Sequence, residues 1–188
     1  MNNDVSNHLS DSDDAVIAVT TRWLEHAVIG LNLCPFAKAV HVKGQIRYVV
    51  SAATTPEVLA DNLQHELEFL AEASAEQIDT TLLIHPQVLT DFLDFNDFLD
   101  VADGIVDELE LDGILQVASF HPQFQFEGTE PNDITNYTNR APYPTLHLLR
   151  EDSVERAVAA FPDEQAIAET NIGTLEKLGL DGWKALGI

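Results

Sequence analysis

Basic residues are scarce in this chain. Nine Lys and Arg stand against 32 Asp and Glu in 188 residues, a formal net charge of -23. Nucleic acid and anionic membranes are bound through Lys and Arg at phosphates, so neither is expected as a partner. Cysteine is scarcer still. Cys34 stands alone, which excludes an internal disulfide and a four-thiolate zinc site within one chain. No run approaches the roughly 18 to 20 apolar residues that a membrane helix needs. The opening stretch MNNDVSNHLSDSDDAV lacks the basic-then-apolar order of a signal peptide, so a cytoplasmic protein is expected. Also missing are Gly-x-Gly-x-x-Gly, a P-loop, Gly-x-Ser-x-Gly and His-Glu-x-x-His, which makes the common nucleotide, hydrolase and zinc-protease readings unsuitable.

What is present is unevenly spread. Residues 26–56 contain no Asp or Glu but carry Lys38, Lys43 and Arg47, and residues 134–150 contain none but carry Arg140 and Arg150. Buried strands and a tight loop would account for both windows. The alternative is that they meet in the fold and form an electropositive pocket inside an acidic shell, suited to an anionic small molecule.

The length suits one domain with one core. Residues 1–13 read as a disordered acidic tail and 14–188 as a single α/β domain. Helical spacing of Val16, Val19, Trp23 and Ala27 predicts a first helix, with Gly30 placed to cap its end. Pro35 bars helix at Cys34 and opens a new turn, which would set Cys34 at a helix N-cap. A strand is predicted over Gln45–Ala52, a helix from Thr55-Pro56 through Leu70, a strand over Thr80–His85 and a helix over Thr90–Leu109. Further strands are predicted over Ile114–His121 and Thr145–Arg150, followed by helices over Ser153–Ala160 and Pro162–Leu178, the latter capped by Gly179. The order predicts a two- or three-layer sandwich: a small mixed sheet of about four strands, three of them parallel through helical crossovers, covered by helices. Two strands end in His-Pro, His85-Pro86 and His121-Pro122, where ligands of open α/β sheets gather.

Between the last two strands, about twenty residues of turn-forming and amide side chains carry Phe124, Phe126, Tyr137 and Tyr143. A loop of that length and composition is a place to look for a site. Together, Leu33-Cys34-Pro35-Phe36-Ala37, Phe120-His121-Pro122 and Asn139-Arg140-Ala141-Pro142-Tyr143-Pro144 resemble the motifs of a bacterial family of uncharacterised proteins, a domain of unknown function. The resemblance runs from about Ala15 to Trp183 and implies no activity.

The residues themselves offer candidates. A thiol at a helix N-terminus, with Lys38 one turn on, would have a lowered pKa, so Cys34 is the candidate nucleophile; the plain alternative is a small buried hydrophobe. His121 is the candidate base, and His85 and His147 are candidate ligand contacts. Arg140, stiffened by the prolines that follow it, would present a planar fork to a carboxylate or phosphate, flanked by Asn139 and Tyr143. His147 and Arg150 should point to opposite faces by strand parity. No ligand spacing supports a metal site, and no pattern names a cofactor. Two functions follow: an enzyme of small-molecule metabolism joining Cys34, His121 and Arg140 in one cleft, or a non-catalytic module binding an anionic metabolite in the same pocket.

Overall fold

A computed structural model describes residues 12–159 and 164–188. Almost all of the expected acidic tail, and the expected start of the last helix at Pro162, lie outside the described residues. Helix α1 (Asp13–Trp23) is capped by the Ser12 side chain and continues into a π-helical segment, Leu24–Ile29. Then follow α2 (Ala37–Val42), β1 (Ile46–Val50), α3 (Pro56–Glu72), β2 (Thr80–Ile84), α4 (Phe92–Glu108), β3 (Leu115–Phe120), a 3-10 turn (Ile134–Thr138), β4 (Thr145–Arg150), α5 (Glu151–Val158) and α6 (Glu164–Ala185). Thr55 caps α3 with Pro56 in its first turn, as the sequence predicts. The helical span of α6 is interrupted at Gly179, whose left-handed, non-helical backbone (φ 65°, ψ 173°) ends its first part after Leu178, where the sequence places a cap.

The four strands form one open mixed sheet in the order β1-β2-β4-β3. Only β1 and β2 pair in parallel; β4 lies antiparallel between β2 and β3. The expected parallel pairing of three strands is thus corrected to β1 and β2 alone, because β4 inserts between β2 and β3. β4 is apolar on both faces, with Thr145, Leu146, Leu148 and Leu149 buried, and a strand of that kind takes an interior position, not an edge. Its register sets Thr145 opposite both Ile84 and Phe120. The carboxyl ends of β2 and β3 therefore share one edge of the sheet with the amino end of β4.

Strand alternation divides the sheet into two faces. Leu83, Leu115, Leu146 and Leu148 pack on α3 and α4, where Leu59, Leu63, Leu67 and Leu70 repeat along one stripe of α3 and are wholly buried. Each such leucine contributes about 2 kcal/mol of burial. Ile46, Leu82, Ala118, Phe120 and Leu149 face the other way, toward α1, the π-helical segment, α2 and α5. The result is a three-layer sandwich.

Gly30 does not cap α1 through a left-handed conformation, since its φ is -61°. Its own amide closes the π turn on the Glu25 carbonyl at 3.0 Å, and a Cβ there would collide with the carbonyl oxygen of His26. The glycine allows close backbone approach where the helix widens.

Candidate functional site

The two His-Pro strand ends do lie at one edge, but their imidazoles are occupied by backbone. His121 accepts the Gln123 amide at Nδ1 (3.0 Å) and donates from Nε2 to the Leu89 carbonyl (3.2 Å). Leu89 presents that carbonyl from a left-handed conformation, φ 54°. With both nitrogens engaged, His121 holds no lone pair with which to take a substrate proton. His85 donates from Nδ1 to the Val88 carbonyl at 3.0 Å, and its Nε2 is buried without a partner. Burial, followed by other effects that include the neighbouring His121, brings the His85 pKa down to about 4. Both rings pack on Phe95 of α4. They belong to the α3/α4 side of the sheet.

The loop from Asn139 to Pro144 braces those ends. The Asn139 carbonyl receives the His121 amide (3.1 Å), the Pro144 carbonyl receives the His85 amide (3.0 Å), and the Asn139 side chain donates to the Ser119 carbonyl (3.1 Å). Arg140 donates to the carbonyls of Phe124 and Pro131, and its guanidinium stacks on Tyr137 at 4.5 Å. Its fork is therefore partly committed to the loop. What remains of Arg140 borders two open clefts of about 470 and 280 Å³, one with Asp91, Gln123 and Asn132, the other with Tyr137, Pro142 and Trp183. Asn136, buried completely, was not legible as important in the sequence; its amide accepts from the Phe126 amide and the Thr129 hydroxyl and donates to the Glu130 carbonyl.

Cys34 and His147 come together elsewhere. Both line a cavity of about 190 Å³ on the opposite face, between the sheet and α1, α2 and α5. Trp23, Leu24, Val28, Phe36, Val40, Leu82, Ala118, Phe120 and Leu149 supply most of the wall, and Thr80, Cys34 and His147 its polar side chains. Cys34 precedes α2 by three residues and is not its N-cap, a position that Phe36 holds. Its thiol pKa is raised, because desolvation outweighs the hydrogen bonds from the amides of Phe36 and Ala37. The expected low-pKa thiolate is thus reversed by burial. Lys38, on α2, is exposed.

The Thr80 hydroxyl donates to the Leu148 carbonyl at 2.6 Å, and Nε2 of His147 lies 2.8 Å from the Thr80 hydroxyl oxygen. Thr80 has one proton to give, so His147 must be the donor from Nε2. Nδ1 then carries the lone pair. Desolvation brings the His147 pKa down to about 4, so the ring is neutral at physiological pH.

Cys34, His121 and Arg140 therefore do not share one cleft. Cys34 lies behind the sheet, His121 against α4, and Arg140 in the loop at the edge. The two acid-free windows do meet, with Ala37 and Ala141 in one apolar cluster and Val40 and Leu149 in another, but what they make is an apolar wall. Arg47 turns to the other face and holds Glu66 in a two-point contact of 2.8 and 3.1 Å. Arg150, opposite in parity to His147 as expected, donates to the carbonyls of Leu70 and Ala73 at the end of α3 and to that of Ile78. Tyr143 packs with Val16, Leu82 and Ile84. Among the described residues, no group of three or more His, Cys, Asp or Glu side chains could hold a metal ion, and no helix is long and apolar enough to cross a membrane.

No curated protein and no solved structure shows significant similarity to the chain. Residues 15–185 match the family described as protein of unknown function (DUF1415), and the chain belongs to that family.

Proposed function

We propose that this protein binds a small, mainly apolar molecule in the cavity between the sheet and helices α1, α2 and α5. The observation that carries this reading is a cavity of about 190 Å³ whose wall is apolar except at Cys34, Thr80 and His147. A cavity of about 150 Å³ lined by aliphatic and aromatic side chains holds benzene, so this one suits a single ring or a short branched chain. Cys34 and His147, both candidates from the sequence, are the groups able to make polar or chemical contact with such an occupant. A neutral imidazole and a protonated thiol favour recognition over nucleophilic attack. The test is a thermal-denaturation screen of small aromatic and aliphatic molecules, with the fluorescence of Trp23, a wall residue, as the second signal. A saturable change with neutral apolar compounds supports the reading; no response to any compound that fits would remove it.

A second reading keeps an anionic metabolite at Arg140. It is favoured by the position of this guanidinium, which borders both open clefts at the strand-end edge. The same screen, run with small carboxylates and phosphates on wild type and Arg140→Lys, separates the two sites.

A further inference from the structure

We infer that the cavity selects molecules bearing one hydrogen-bond donor on an otherwise apolar body, such as a phenol, an aromatic amine or an N–H heterocycle, with Nδ1 of His147 as the acceptor. This rests on the reading of the cavity as a ligand site.

Three observations converge on it. First, the hydrogen bonds fix the tautomer. The Thr80 proton goes to the Leu148 carbonyl, so Nε2–H of His147 must point at Thr80 and Nδ1 must be bare. Second, the bare nitrogen has no hydrogen-bond partner among the described residues, yet it does not figure among their sealed, partnerless polar atoms, which are Gln45 Oε1, Tyr48 OH, Thr81 Oγ1, His85 Nε2 and Arg150 Nε. His147 stands in the middle of β4, an interior strand, and still keeps part of its surface accessible. The cavity it lines supplies that access. Third, the wall contains no Lys or Arg. A carboxylate or phosphate would bring an acceptor to a lone pair with no cation to offset its burial.

An acceptor set in an apolar pocket discriminates by what is left unpaired. An occupant without a donor leaves Nδ1 dry and unsatisfied, whereas one with a donor completes the chain from ligand to His147 to Thr80 to the Leu148 carbonyl. Cys34 lines the same space, but a thiol is a weak donor and acceptor and adds little to this selection.

The experiment compares phenol with toluene, which have nearly the same shape, by titration into histidine-¹⁵N-labelled protein at pH 7.5. An apolar cavity without an acceptor would prefer toluene, since a buried hydroxyl with no partner is costly. The expected result is that phenol binds tighter, by about threefold to tenfold, and shifts the His147 Nδ1 resonance, while benzoate does not bind. In His147→Phe the preference reverses to toluene. Should that variant fail to fold, the wild-type pair and the Nδ1 shift decide alone. Toluene binding as tightly as phenol to the wild type, or phenol binding with an unmoved Nδ1 resonance, overturns the inference and leaves the cavity as a general apolar site. If neither compound binds, the ligand-site reading falls and the inference with it.

Discussion

The Thr80 hydroxyl lies 2.8 Å from Nε2 of His147, a contact between adjacent strands that turns an imidazole into a neutral, oriented acceptor. Because Thr80 passes its own proton to a backbone carbonyl, the relationship has only one polarity. Protonating His147 would give it a second N–H with no acceptor in an apolar wall.

That arrangement makes stability depend on pH. The His147 pKa in the fold is about 4, against 6.5 for an unperturbed imidazole, so the unfolded chain takes up the proton first. The contribution is complete above about pH 6.5 and is lost as pH falls toward 4. Between pH 7 and pH 5 it amounts to about 2 kcal/mol. Urea denaturation across this range should show wild type losing stability relative to His147→Phe, which cannot titrate; parallel pH profiles for the two proteins would mean that His147 is not held neutral by the fold.

Arg140 should act first as a loop brace. Its bonds to the carbonyls of Phe124 and Pro131 and its stacking on Tyr137 are lost in Arg140→Ala and poorly replaced in Arg140→Lys, whose ammonium is not planar. We expect each variant to lose about 1 kcal/mol or more, with faster amide exchange over residues 124–140. Unchanged exchange in Arg140→Ala would release the guanidinium for ligand binding and strengthen the anion reading.

Cys34 should be a slow nucleophile. Burial raises its thiol pKa above the ordinary range, so the pH midpoint of iodoacetamide alkylation in the native protein should lie above that of the unfolded chain. A midpoint lower than the unfolded value would reinstate the activated thiolate.

The elements were largely legible because periodicity is a local property. Thr145–Arg150 and the cap of α3 at Thr55 appear in the sequence as they stand in the fold. Sheet order was not. Nothing local to Thr145–Arg150 states that it inserts between β2 and β3, although its apolar character on both faces was a usable sign. The cavity was half legible: the acid-free windows marked the segments that meet, but lack of acid reports burial and positive potential alike. His121 misled for a related reason, since a histidine that ties a turn together and one that takes a proton carry the same letter. The tautomer of His147 depends on Thr80, 67 positions away in sequence, and no spacing rule reaches that far.

Ala118 lines the cavity and is only partly buried, which makes it the position from which to fill the space. The decisive measurement is the thermal midpoint of wild type and Ala118→Leu as toluene is raised toward its solubility limit. Binding to the native state raises the midpoint by RT ln(1 + [L]/Kd) expressed as stability. A saturable rise in wild type, absent in a folded Ala118→Leu, is the predicted result. No rise in wild type, or the same rise in both proteins, would contradict the assignment of this cavity as the binding site.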